Sequence, residues 1–110
     1  MLAEMAGADS PAAERKAAVA CAVLAGIAAS DAACCAALGR RSRSQDHRDA
    51  ALLLRQVSPG GPQAATQLER LLSMKDQAHY GMGDVSGQAL VAALRQARAL
   101  VTFAEQAIER

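Results

Sequence analysis

SGQALVAALRQARALVTFAEQAI, Ser86 to Ile108, carries the clearest local grammar in the chain. Ser86 is an N-cap hydroxyl, and Val85 and Leu90 stand at the two positions of a hydrophobic staple. Beyond them Leu90, Leu94, Ala97, Val101, Ala104 and Ile108 recur every three or four residues, which is one stripe of a helix. Arg95, Arg98 and Glu105 fall on the other side, where water solvates their charge. The segment therefore predicts an amphipathic helix that needs other helices to cover its stripe.

The rest of the chain repeats that pattern. Ser10-Pro11 supplies a cap and a first-turn proline, with Glu14 in the opening turn, for a helix that runs to Leu38 and stops at Gly39. Its stripe reads Ala20, Leu24, Ile27, Asp31, Cys34, Leu38, so a carboxylate falls on an apolar seam. Gly39 to Ser44 is a basic loop. Ser42 paired with Gln45, or Ser44 alone, caps a second helix to about Val57, with Ala50, Leu53, Leu54 and Val57 inward. Ser58-Pro59-Gly60-Gly61-Pro62 is the strongest breaker. Pro62 then opens a third helix to His79 or Tyr80, with Ala65, Leu68, Leu71, Leu72 and Lys75 at helical spacing, ended by Gly81-Met82-Gly83.

Composition closes off the alternatives. The 110 residues suit one domain, and 28 of them are Ala while Tyr80 and Phe103 are the only aromatics, so little is left from which to build strands. The expectation is an all-α fold: an antiparallel, up-and-down four-helix bundle over residues 10–110, preceded by a stub or frayed segment at 1–9. Small residues at this density suit closely approaching helices, and they offer faces through which two copies could pair.

A net charge of +1 creates no global field toward nucleic acid or anionic lipid, and the local basic patch is Arg40, Arg41 and Arg43. Cys21, Cys34 and Cys35 are odd in number and form no C-x-x-C pair, which reads as small buried thiols in a reducing cytoplasm. The apolar run 17–29 follows Arg15 and Lys16 as a signal-peptide core would. However, Glu4, Asp9 and Glu14 precede it, Asp31 follows it, and it is too short to span a bilayer. Cytoplasmic location without membrane contact is the expectation.

Phosphate loops and zinc spacings are missing, which leaves no metal or cofactor to expect. Two polar constellations remain. Lys75 and His79 are four apart, on one face of the third helix beside Tyr80, and a half-buried cation there needs a partner. Asp31, as a buried polar partner for Lys75 or His79, is the natural candidate. The second constellation is Arg40 or Arg41 followed by His47, a cation and an imidazole that together suit a phosphodiester.

Gly26-Ile-Ala-Ala-Ser-Asp-Ala32, then Gly39-Arg-Arg-Ser-Arg-Ser-Gln-Asp-His47, then Leu71-Leu-Ser-Met-Lys-Asp-Gln-Ala-His-Tyr80 and a final amphipathic helix resemble the HEPN group of helical domains, in particular its small actinobacterial members. The resemblance covers residues 12–108. It implies a helical bundle, often dimeric, that acts as an RNase or as the partner of a nucleotidyltransferase or antitoxin in toxin–antitoxin and defence systems. Active members carry an Arg, four to six residues, then His before the final helix. Here Met74 stands where that Arg is expected before His79, Lys75 is too close, and Arg41…His47 has the spacing one helix too early. The resemblance thus points to a non-catalytic binding and dimerisation module. The alternative it leaves is a metal-independent RNase, with His79 or His47 as acid/base and Arg40, Arg41, Arg43, Lys75 or Tyr80 at the phosphate.

Overall fold

A computed structural model describes the backbone of residues 12–80 and 85–110 and the side chains of 13–75 and 85–110. Among the described residues four helices form: α1 Ala12–Leu38, α2 His47–Leu54, α3 Gly61–Tyr80 and α4 Gly87–Glu109. No strand occurs among the described residues, so the chain is all-α. The expected cap for α1 and the 1–9 stub lie outside the described residues.

Local chemistry explains the ends. Gly39 at φ +74° donates its N–H to Cys35 O at 3.0 Å, a left-handed stop that glycine adopts without strain. Ser86 Oγ accepts from Ala89 N–H at 3.0 Å, the cap its sequence predicts. The α2 cap is a correction. Asp46, rather than Ser42 or Ser44, accepts from Arg48 N–H, at 3.0 Å. The two serines instead build the approach, Ser42 Oγ accepting from Ser44 N–H and Ser44 Oγ from Asp46 N–H. α2 also stops at Leu54, though Val57 is buried as expected.

Helix directions depart from simple alternation. Arg15 Nε donates to Val85 O at 2.7 Å, and a Cβ on Gly26 would lie 3.2 Å from Leu100 Cδ1, so α1 and α4 run the same way side by side. The start of α3 lies along the end of α4: Gly60, Gln63 and Gln67 share a groove with Ala99, Phe103 and Gln106. α2 is opposed to α3, because residues 45–48 meet Leu72 and Lys75 while Arg55 Nη2 bonds Glu69 Oε1 at 2.6 Å. Three helices thus point one way and α3 the other. The eight residues 39–46 permit this, since an extended stretch of that length reaches about 26 Å and can return along the bundle before α2 begins. Only a short connection forces neighbours to be antiparallel.

The core joins Val19, Val23, Ala29, Ala33 and Cys34 of α1 to Leu54, Leu68, Leu71, Leu90 and Leu100. On α4 the core keeps Leu90, Ala97 and Ala104 of the predicted stripe but takes Ala93, Leu100 and Ala107 in place of Leu94, Val101 and Ile108, and on α1 it keeps Cys34 but otherwise lies one position off the predicted stripe. Val23 is buried while Leu24 is 67% exposed; Ala93, Leu100 and Ala107 are buried, while Val101 and Ile108 are 39% and 60% exposed. Small residues face inward so that leucines of the neighbouring helices can close on them. At Gly26 a Cβ would come 2.5 Å from Leu71 Cδ1. Ala18, Ala22, Gly26, Ala29 and Ala33 thus form an inward small-residue face, while Ala17, Ala28, Ala36 and Ala37 of the same helix are exposed. Among the cysteines Cys34 is buried, Cys21 is half-buried and Cys35 is exposed, which corrects the expectation of three buried thiols.

The α1 segment from Ala13 to Leu38 contains an 18-residue window with a mean hydropathy of 1.9 and, among the described residues, is the one helix long and apolar enough to cross a membrane. The run 17–29 understated this length. Half of its most apolar window is buried against the other helices, as in the core helix of a bundle.

Candidate functional site

α2 begins beside the later turns of α3, and between them lies a shallow pocket of about 170 Å³ lined by Gln45, Asp46, His47, Arg48, Leu72 and Lys75. The sequence dictates the site locally. The serine staircase delivers Asp46 to the cap position, and the cap fixes His47 and Arg48 in the first turn. Buried Leu68 and Leu71 hold α3 against the core, which leaves half-buried Leu72 and Lys75 on the flank facing α2. Two cations and an imidazole from separate elements meet there, with one carboxylate already engaged in capping.

The pocket is smaller than the roughly 300–1,000 Å³ of small-molecule sites. A space of this size suits a single anionic group, such as one phosphate of a longer chain, rather than a whole nucleotide. Arg48 in the first turn and Lys75 across from it would hold such a group from two sides, and His47 would offer a ring N–H or accept a proton.

Of the residues the sequence singles out, His47 and Lys75 come together, although they belong to different constellations. Asp31 does not join Lys75. It is partly exposed and pairs with Arg41, Nη1 to Oδ2 3.9 Å, a long contact between a 56% and a 28% exposed side chain that contributes little. Asp31 is thus no buried partner of Lys75, because α1 turns it to the edge of the seam and brings Ser30 inward; the side chain of His79, its other expected partner, lies outside the described residues. Ser30 Oγ is buried without a hydrogen-bond partner. Arg40 and Arg43 are exposed in the returning loop. His79 and Tyr80 fall in the last turn of α3, but their side chains lie outside the described residues.

Sequence reasoning missed Arg48 and Asp46. An Asp immediately before a helix is a cap signal, and once Asp46 is taken as the cap, Arg48 falls in the first turn beside His47. Among the described residues no three His, Cys, Asp or Glu side chains converge as a metal site would require. Set against family models, curated proteins and solved structures, the chain matches none of them.

Proposed function

We propose that this chain is a non-catalytic, HEPN-like binding module that holds the backbone of a single-stranded RNA at the α2–α3 pocket. One observation carries the reading: Lys75 of α3 and His47 and Arg48 of α2 line the same pocket. Arg40 and Arg43, exposed in the loop leading to α2, extend the cationic surface. With a net charge of only +1, the attraction has to be local, and a local cluster of this kind is what such binding needs. A cytoplasmic place in a toxin–antitoxin or nucleotidyltransferase-associated system accords with the resemblance in sequence.

A second reading, a metal-independent RNase, is favoured by the imidazole of His47 lying in the same pocket as the two cations, where it could move a proton while they stabilise the phosphate. One experiment serves both. Fluorescence anisotropy with labelled single-stranded RNA should give binding that weakens with salt, and Arg48→Ala with Lys75→Ala should reduce the salt slope by about one to two units. RNA left intact with chelator present supports the module; cleavage abolished by His47→Ala supports the enzyme. Wild-type protein that neither binds nor cuts RNA removes both readings.

A further inference from the structure

The connection between α1 and α2 carries a motif that the pocket itself does not use. Gly39-Arg-Arg-Ser-Arg-Ser-Gln-Asp46 forms neither helix nor strand, and every residue in it except Ser42 is exposed. Arg41 makes one long contact with Asp31, at 3.9 Å, and neither ion pair found among the described residues involves Arg40 or Arg43. Their guanidinium groups stay open to a partner that presents carboxylates.

Ser44 stands at the end of this run. Arg43 precedes it by one position, Arg41 by three and Arg40 by four. Its Oγ accepts from Asp46 N–H at 3.1 Å, and among the described residues its own hydrogen is donated to nothing. Hydrogen bonds between residues two apart are all that shape the approach to α2, so an acidic cleft can draw the loop straight. An exposed hydroxyl on such a stretch, with arginines ahead of it, is the substrate form of arginine-directed protein kinases. Ser42 fits less well, being half-buried with Gly39 three positions before it. We infer that Ser44 is a phosphorylation site for an arginine-directed, ATP-dependent serine kinase, and that its phosphate closes the α2–α3 pocket to RNA.

In the transfer the kinase's base takes the hydroxyl proton as Oγ attacks the γ-phosphorus of ATP. The new O–P bond forms, the bond to the β-phosphate oxygen breaks, and ADP leaves. The product sets close to two negative charges and three acceptor oxygens at the N-terminus of α2, where the helix dipole favours an anion. Ser44 Oγ already bonds Asp46, and Gln45 and Asp46 line the pocket beside His47, Arg48 and Lys75. Arg41, Arg43 and Arg48 then have an anion of the chain's own to hold. The second half of the inference rests on the RNA reading of the pocket, since the phosphate takes the cations that RNA needs.

The test uses the folded wild-type chain, ATP and the catalytic subunit of cyclic-AMP-dependent protein kinase, an arginine-directed enzyme. Peptide mass spectrometry should place one phosphate, on Ser44. Ser44→Ala should take none, Ser44→Thr should still be modified, and Arg41→Ala should slow transfer at least about tenfold. Phosphorus NMR should show the second ionisation of the phosphate at lower pH in the folded than in the denatured chain, because the arginines favour the dianion. Labelled single-stranded RNA should bind the phosphorylated chain at least about tenfold less tightly, while kinase and ATP leave the affinity of Ser44→Ala where it was. Protein isolated from the cells that make it should carry the same phosphate in growth or in starvation. Transfer to Ser42 or to no residue overturns the inference, as do a Ser44 free of phosphate in both cell states and RNA binding indifferent to the phosphate. If the unmodified chain binds no RNA, the pocket reading alone fails, and the Ser44 site is decided by the transfer and by the titration of its phosphate.

Discussion

The Cys34 thiol is 1% exposed; burial, aided by Asp31 and Cys35, pushes it up to about 11, with Arg40 pulling the other way. A thiol held protonated is a poor nucleophile. Its chain neighbour Cys35 is exposed, so two adjacent cysteines should behave oppositely. Limited alkylation near neutral pH, read by peptide mass spectrometry, should modify Cys35 first and Cys34 only after denaturation. Early loss of the Cys34 peptide would contradict the burial. The same shift sets an alkaline limit. The unfolded chain releases this proton near pH 9 and the folded chain near 11, so the contribution to stability is complete below 9 and is lost as pH rises through 11. Cys34→Ala should remove that part of the alkaline decline. Ser30 is the other oddity at this scale. Its hydroxyl is buried without a partner, at a cost of about 1–3 kcal/mol.

Which face of α1 is buried can be tested with adjacent residues. Val23 is 1% exposed and Leu24 is 67% exposed. Val23→Ala should cost about 2 kcal/mol through lost methyls and the cavity left behind. Leu24→Ala, although it removes more carbon, should stay within about 0.5 kcal/mol. Denaturant midpoints at constant m-value would measure both, and the reverse order would restore the stripe suggested by residue size. Sequence alone could supply the four helices, the Gly39 stop, the Ser86 cap and the inward set Ala50, Leu53, Leu54 and Val57, because caps, breakers and leucine spacing are local signals. It could not supply the register of α1. That helix is apolar nearly all round, so large side chains dominate the periodicity, whereas the packing depends on Gly26 admitting Leu71 of α3 and Leu100 of α4. The site was partly legible for the same reason. His47 and Lys75 stood out as residue types, yet their meeting depends on the returning loop, which no local signal encodes.

At the scale of the whole molecule the bundle divides into a tightly joined part and an appended one. Leu68 and Leu71 of α3 and Leu90 and Leu100 of α4 are buried together with Val19 and Val23 of α1, and Leu71 and Leu100 close over Gly26. α2 has eight residues and contributes mainly Ala50, Ala51, Leu53 and Leu54, and its approach is held by hydrogen bonds between residues two apart on an exposed loop. Few buried apolar groups and solvent-facing bonds define the part of a protein that opens first. Hydrogen exchange should therefore find residues 40–54 exchanging through a local opening, at lower free energy than the buried faces of α1 and α4, which should exchange only with global unfolding. Since His47 and Arg48 ride on α2, this opening dismantles the cationic pocket while the three-helix core persists. A bound polyanion that bridges Lys75 and Arg48 must then slow exchange in α2 by the factor that its concentration over its dissociation constant sets, and leave the core amides of α1 less affected. Uniform protection across all four helices would mean that the fold opens as one unit and that the pocket is no weaker than the core.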